Sequence, residues 1–225
     1  MRAMILAAGR GERMGALTNQ LPKPLLKVNG RYLIEYILLQ LIHAGIRDIV
    51  INVSYHREQI KQALGNGSAY GINIVYSEEE GRLETGGGIF QALPLLGNAP
   101  FLAVSSDIIT NYPFKQLLTR PLRLAHLVLV ANPVFHADGD FCLQENEISR
   151  QEKCDFTFAN IGIYHPELFA SCSPGRFPLR DILFPAIEAK QVTGEQYTGA
   201  WYNIGTPLQL IEAETHLRAR EESNL

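Results

Sequence analysis

Short β-branched apolar runs alternate with stretches of helical periodicity through the first half of this chain, and that alternation restricts it to a sheet built by βα crossovers. Three runs carry the pattern: Met4 to Ala7, Asp48 to Val53 (DIVINV) and Phe101 to Ser105 (FLAVS). Between the first two, Leu33, Ile34, Ile37, Leu38, Leu41 and Ile42 recur at helical spacing, and Gly45 supplies a stop. A second helical stretch, His56 to Leu64, ends in Gly65, Asn66 and Gly67, after which Ile72 to Tyr76 alternates like a further strand. From His126 onward the pattern changes to strands separated by turns: LVLVAN, Asp140 to Leu143 and Phe156 to Tyr164. These read as an antiparallel extension. A helix from Pro178 to Lys190, a short strand ending near Asn203 and a helix from Pro207 to Arg220 follow. No internal repeat, low-complexity tract or long linker divides the sequence, so residues 1–225 read as one domain. The expected class is α/β: a Rossmann-like, mixed and mainly parallel sheet flanked by helices, with a small antiparallel extension.

Composition narrows the partners. With 46% hydrophobic and 19% charged residues the chain can bury a large core, and a net charge of -3 offers none of the dense basic surface that nucleic-acid backbones require. No stretch approaches the roughly 20 apolar residues of a membrane span; Leu33 to Ile42 is interrupted by Glu35 and Gln40. The opening apolar run, Ala3 to Ala8, is too short for a signal-peptide core and reads as a buried strand. Cys142, Cys154 and Cys172 are odd in number and match neither a paired disulfide framework nor a zinc knuckle. The expectation is a protein of the reducing cytoplasm. Oligomeric state is not legible in these residues.

The first strand is followed by AAGRGERMGALTNQLPKPLL, too long and too rich in glycine and charge for a plain βα connection. Gly9 and Gly11 leave the backbone open to close approach, and successive amides in such a loop donate to an anion. Arg13 adds a planar, permanently charged fork. Two familiar phosphate loops are excluded. The P-loop needs GxxxxGK, and no lysine follows a glycine in that register. The dinucleotide fingerprint needs a third glycine where Met14 stands and an acid where Asn29 and Gly30 stand. Pro22 and Pro24 stiffen the backbone around Lys23, so its ammonium is presented by a fixed segment.

LAAGRGERM and LPKPLL together resemble the signature of the sugar-1-phosphate nucleotidyltransferase superfamily, and further pieces follow in family order. LETGGGIF (Leu83 to Phe90) looks like the segment that contacts the base; FLAVSSD (Phe101 to Asp107) looks like the strand whose terminal aspartate binds metal. GDF (Gly139 to Phe141) and NIGIYHP (Asn160 to Pro166) resemble sugar-site segments, and WYNIGT (Trp201 to Thr206) resembles a second metal-binding turn. The resemblance implies a nucleoside triphosphate and a sugar 1-phosphate as partners and Mg²⁺ as cofactor. It implies Arg13, Lys23 and Asp107 as catalytic residues. Nucleotide binding falls to Ala8, Gly9, Gly11, Glu12, Arg13, Lys23, Glu84, Thr85 and Gly86, sugar binding to Gly139, Asp140 and Asn160, and metal binding to Asp107 with Asn203. Within the superfamily, LETGGGIFQALPLLG and AHLVLV most resemble the N-acetylmuramate-1-phosphate uridylyltransferases of cell-wall recycling. A mannose-1-phosphate guanylyltransferase and a nucleotide-binding regulatory module without turnover are the alternatives. Four positions depart from the family pattern: Ser106 replaces the usual glycine, Asn203 a common aspartate, and Gly15–Ala16 a charged residue and proline.

Overall fold

A computed structural model describes residues 1–223, with side chains through residue 219. In chain order the strands and α-helices are β1 (Ala3–Leu6), β2 (Lys27–Val28), β3 (Arg31–Tyr32), α1 (Leu33–His43), β4 (Asp48–Val53), α2 (Arg57–Leu64), β5 (Asn73–Glu78), α3 (Glu84–Leu96), β6 (Phe101–Ser105) and β7 (Ile108–Thr110). They continue with α4 (Phe114–Leu117), β8 (Ala125–Ala131), β9 (Cys142–Gln144), β10 (Glu147–Ser149), β11 (Phe156–Tyr164), α5 (Arg180–Glu188), β12 (Val192–Gln196), β13 (Trp201–Asn203) and α6 (Pro207–Ser223).

Nine strands form one sheet in the order β5-β4-β1-β6-β11-β8-β12-β10-β9. β5, β4, β1 and β6 run parallel, as the βα alternation requires. β1 is buried on both faces, which explains its unbroken apolar run. Ile5, Ile51 and Val104 face a core layer completed by Ile34, Ile37 and Leu41 of α1 and Ile60 of α2; Met4, Val50 and Ala103 face the opposite layer, with Ile89 and Ala92 of α3 and Leu183 of α5. A third cluster joins Met14, Leu26, Val28, Ile109 and Ile204 to Ala213 of α6.

Phe156 to Tyr164 is a strand with the predicted bounds, and β11, antiparallel to both β6 and β8, begins the antiparallel extension within the main sheet. β12 then pairs parallel to β8, so the antiparallel pieces continue one sheet. Strand one ends at Leu6 instead of Ala7. The Ala7 amide leaves the ladder to bond the Asn52 side chain. Finally, Cys142 and Cys154 form a disulfide, with Cα atoms 4.8 Å apart. Pairing of the segments around Phe141 and Phe156, with the Cys154 amide donating to Asp138, brings the two cysteines together. Sequence spacing did not reveal that return of the chain, and the cysteine pattern no longer argues for a reducing compartment.

The three glycines that open α3 cost helix propensity, about 1 kcal/mol each relative to alanine. Contacts explain them. A Cβ on Gly86 would lie 2.5 Å from the Phe177 ring, one on Gly87 2.3 Å from the Gly175 oxygen, and one on Gly88 2.5 Å from Glu79 Oε1. The loop before α5 therefore packs directly on the helix backbone, tied by Gly87 N to Phe177 O (3.0 Å) and Phe177 N to Leu83 O (3.1 Å). Gly87→Ala is expected to destabilise the protein by about 1 kcal/mol, because overpacking against backbone costs about 1–3 kcal/mol and improved helix propensity returns only about 1. Urea unfolding of the two forms measures the difference, and an equal or higher midpoint for the variant would contradict this account of the glycines.

Candidate active site

The carboxyl ends of β1, β4, β5 and β6 open into a cleft of about 1350 Å³. This is the edge at which open α/β sheets bind ligands. The predicted residues Ala8, Gly9, Gly11, Glu12, Arg13, Lys23, Glu84, Thr85 and Asp107 all line it. Gly86 does not line it; its Cβ position is filled by Phe177.

Lys23 sits in a single 3-10 turn, Lys23–Leu25, entered from Pro22 at φ -65. Its stem passes beneath the glycine-rich loop, where a Cβ on Gly11 (φ +67) would lie 3.0 Å from Lys23 Cβ. Glycine is needed there twice over, for the backbone angle and for the space. The residue is 8% exposed, and its Nζ is ion-paired to Asp107 Oδ2. Thus two of the three predicted catalytic side chains, 84 residues apart in sequence, are in direct contact. Arg13 lies against the turn after β13, its Nη2 3.0 Å from where a Gly205 Cβ would stand.

Asp107 and Asn203 are brought together by the small β7–β13 ladder. Asn203 pairs with Ile108, and the Ile204 amide donates to the Asp107 carbonyl at 2.9 Å. One carboxylate and one amide oxygen suit a hard divalent cation that takes few protein ligands and keeps water. That Asp107 already holds the ammonium of Lys23 shows the position favours a positive charge. Among the described residues no group of three or more His, Cys, Asp or Glu side chains is arranged to hold a metal. A cation bound here would draw its remaining ligands from phosphate and water.

Gly139, Asp140 and Asn160 lie outside the lining of the cleft. Gly139 has φ +65, and a Cβ on it would lie 2.4 Å from the Cys154 oxygen. Asp140 accepts from the Phe158 amide at 2.9 Å and faces His136 Nε2 at 3.0 Å, so its carboxylate holds the start of β11. Asn160, at φ +58, lies within the irregularity of β11 between Phe158 and Gly162. Its neighbour Ile161 pairs with Val104, which places Asn160 beside the cleft-facing end of β6. A bulge there re-aims a side chain, and Asn tolerates the left-handed angle better than most residues.

Further residues of the cleft escaped the sequence reading. Asn52 and Glu79 are each 4% exposed and hydrogen-bonded to each other at 2.7 Å. Burial pushes the Glu79 carboxyl up from its ordinary range, against the hydrogen bonds it accepts from Asn52 and the Leu83 amide. A polar residue inside the apolar run DIVINV was the available signal for Asn52. Arg176, from the loop before α5, donates through Nε to Glu84 Oε1 at 2.9 Å. Its hydrogen bond holds the Glu84 carboxyl below the usual range, although Glu84 itself sits at φ +60.

Residues 2–134, which carry the glycine-rich loop, the buried lysine and the strand-end aspartate, match the family model described as nucleotidyl transferase. The chain belongs to the nucleotidyl transferase family. It is 46% identical to N-acetylmuramate alpha-1-phosphate uridylyltransferase of Neisseria meningitidis serogroup B, across 95% of this chain and 97% of that protein. The same-named protein of Caulobacter vibrioides is 32% identical over 96% of each. Mannose-1-phosphate guanyltransferase of Schizosaccharomyces pombe is 30% identical, and the chain spans 61% of its length. Among solved structures, UDP-glucose pyrophosphorylase complexed with UDP-glucose superposes with a TM-score of 0.81 at 18% identity, covering 97% of this chain and 98% of that one. That likeness establishes the shared fold. The chain is therefore an enzyme of the nucleotidyltransferase class.

Replacing Lys23 with alanine removes both the ammonium that faces the cleft and the partner of Asp107. Turnover is expected to fall on the order of 10², roughly 2.7 kcal/mol of transition-state stabilisation, with the circular dichroism spectrum retained. A folded Lys23→Ala variant of undiminished activity would reduce Lys23 to a structural ion-pair partner.

Proposed function

We propose that this enzyme transfers uridylyl from UTP to N-acetylmuramate 1-phosphate, yielding the UDP-sugar and pyrophosphate. The carrying observation is the high identity, over nearly the full length of both chains, to a protein named for that reaction. Relatives named for guanylyl transfer to mannose 1-phosphate are less similar and considerably longer. The assignment fits a cytoplasmic step of peptidoglycan recycling.

The sugar-phosphate oxygen that attacks the α-phosphorus is already an anion near neutral pH, so no general base is required. The protein's part is alignment and charge neutralisation. In this reading the amides of Ala8 to Arg13 hold the triphosphate, the Arg13 guanidinium neutralises the departing pyrophosphate, and Lys23 turns from Asp107 to the phosphates at the reacting centre. Glu84 and Thr85 form the base and ribose side, and Gly86 seats the helix they open against Phe177. Asn160, re-aimed by its bulge, faces the sugar, while Gly139 and Asp140 hold the turn that leads into β11. Asp107 and Asn203 would hold Mg²⁺, whose charge would favour the in-line arrangement by drawing electron density from the phosphate oxygens.

Pyrophosphate release across a panel of nucleoside triphosphates and sugar 1-phosphates tests the assignment. UTP with N-acetylmuramate 1-phosphate is expected to give the highest kcat/KM; a higher value for GTP with mannose 1-phosphate would move the enzyme to the guanylyl class.

The metal assignment has its own test. Asp107→Asn removes the only carboxylate of the pair and is expected to abolish most turnover. Asn203→Asp adds a second carboxylate and is expected to lower the Mg²⁺ concentration for half-maximal activity. An unchanged Mg²⁺ dependence in Asn203→Asp would make Asn203 a turn residue only.

A further inference from the structure

Asn52 and Glu79 stand in the cleft wall between the loop assigned to the triphosphate and the segment assigned to the base, and neither belongs to a recognised motif. Their bonds run in one continuous line. Asn52 Oδ1 accepts from the Ala7 amide at 2.8 Å, and Asn52 Nδ2 donates to Glu79 Oε1 at 2.7 Å. The Leu83 amide donates to the same carboxylate, and the Glu79 amide donates to the Val53 carbonyl at 2.8 Å. The exit of β1 into the glycine-rich loop, the end of β4 and the approach to α3 are thereby joined through two buried side chains.

The chemistry of the line admits few substitutes. Both ends are backbone amides, which can only donate. Position 52 must accept toward Ala7 and donate toward 79, while position 79 must accept from both sides. Gly88 completes the arrangement, since a Cβ there would lie 2.5 Å from Glu79 Oε1 and 3.1 Å from Asn52 Nδ2. A buried polar pair costs desolvation unless every partner is satisfied, and here the satisfied partners are the two walls of the cleft.

We propose that Asn52 and Glu79 are positioning residues, a buried relay that sets the spacing between the glycine-rich loop and the Leu83–Thr85 wall and so gives the cleft its affinity for the nucleotide. The assignment rests on the nucleotide reading of the cleft. It gives neither side chain any contact with the reacting atoms.

A swap of the two roles is the discriminating experiment. Asn52→Asp sets carboxylate against carboxylate, and Glu79→Gln offers one acceptor oxygen to two donors. In the double variant the new aspartate accepts from Ala7 and from the new glutamine, whose oxygen accepts from Leu83, so charge and bond count are those of the wild type. UTP affinity is measured by titration calorimetry, and KM for the sugar 1-phosphate alongside it. Each single change is expected to weaken UTP binding about 10-fold, as an unsatisfied buried group requires. The double variant is expected to return to within about 3-fold of wild type, since neighbours in one network do not add. KM for the sugar phosphate should move less than about 2-fold, because the relay acts on the nucleotide side.

A double variant as weak as the worse single, single variants with wild-type affinity, or equal losses toward both substrates would overturn the proposal. Should a single variant fail to fold, Gly88→Ala replaces it. That change keeps both polar groups and displaces Glu79, so it must also weaken UTP binding, and an unweakened variant would again overturn the relay. Wild-type enzyme that ignores UTP but binds another nucleoside triphosphate retires the uridylyl assignment alone, and the same variants are then titrated with that nucleotide.

Discussion

The hydrogen-bonded register of β1 with its two parallel neighbours is the constraint on which the rest of the molecule hangs. Leu6 stands opposite Asn52 on one side and Ser105 on the other, so three strands end at one level. From that level the chain releases the glycine-rich loop, the polar end of β4 and the Ser106–Asp107 turn into a common space. Shift any strand by one residue and its apolar set would face the wrong layer. The hydrophobic alternation that fills the two cores therefore also aligns the functional side chains.

Much of this was legible in the residues. DIVINV and FLAVS have the predicted bounds as strands, because fully buried parallel strands leave an unmistakable β-branched run. Lys23 stood out through its two flanking prolines, and Asp107 through its place after a buried strand; the structure puts them in contact. Local chemistry predicted both, since proline restricts its neighbours and a strand end is a strand end wherever it is in the fold.

What escaped depends on contacts between distant segments. LETGGGIF was given to base contact through Glu84, Thr85 and Gly86, whereas Gly86 and Gly87 make room for Phe177 and Gly175, about ninety residues later, a partnership no local pattern announces. Glu79 lies in a run of three glutamates, and only burial separates it from Glu78 and Glu80. Asp140 was singled out for the sugar, yet its carboxylate is occupied by the Phe158 amide and His136. The pairing of Cys142 with Cys154 likewise depended on the chain doubling back around Phe141 and Phe156.

The β7–β13 ladder has a consequence for how the molecule is made. Asn203 and the Gly205 turn that supports Arg13 arrive late in the chain, after the nine strands of the main sheet have been synthesised. Arg218 of α6 reaches back to Asn29 across 189 residues, and Ala213 packs into the cluster that contains Met14. Contacts of such sequence separation close slowly, and domains take shape in the order in which they leave the ribosome. A nascent chain that has just completed β12 can thus hold its sheet and its glycine-rich loop before Gly205 closes on the cleft and Asn203 joins the strand beside Asp107. The segment after β12 joins the cleft long after the residues that match the family model have been translated.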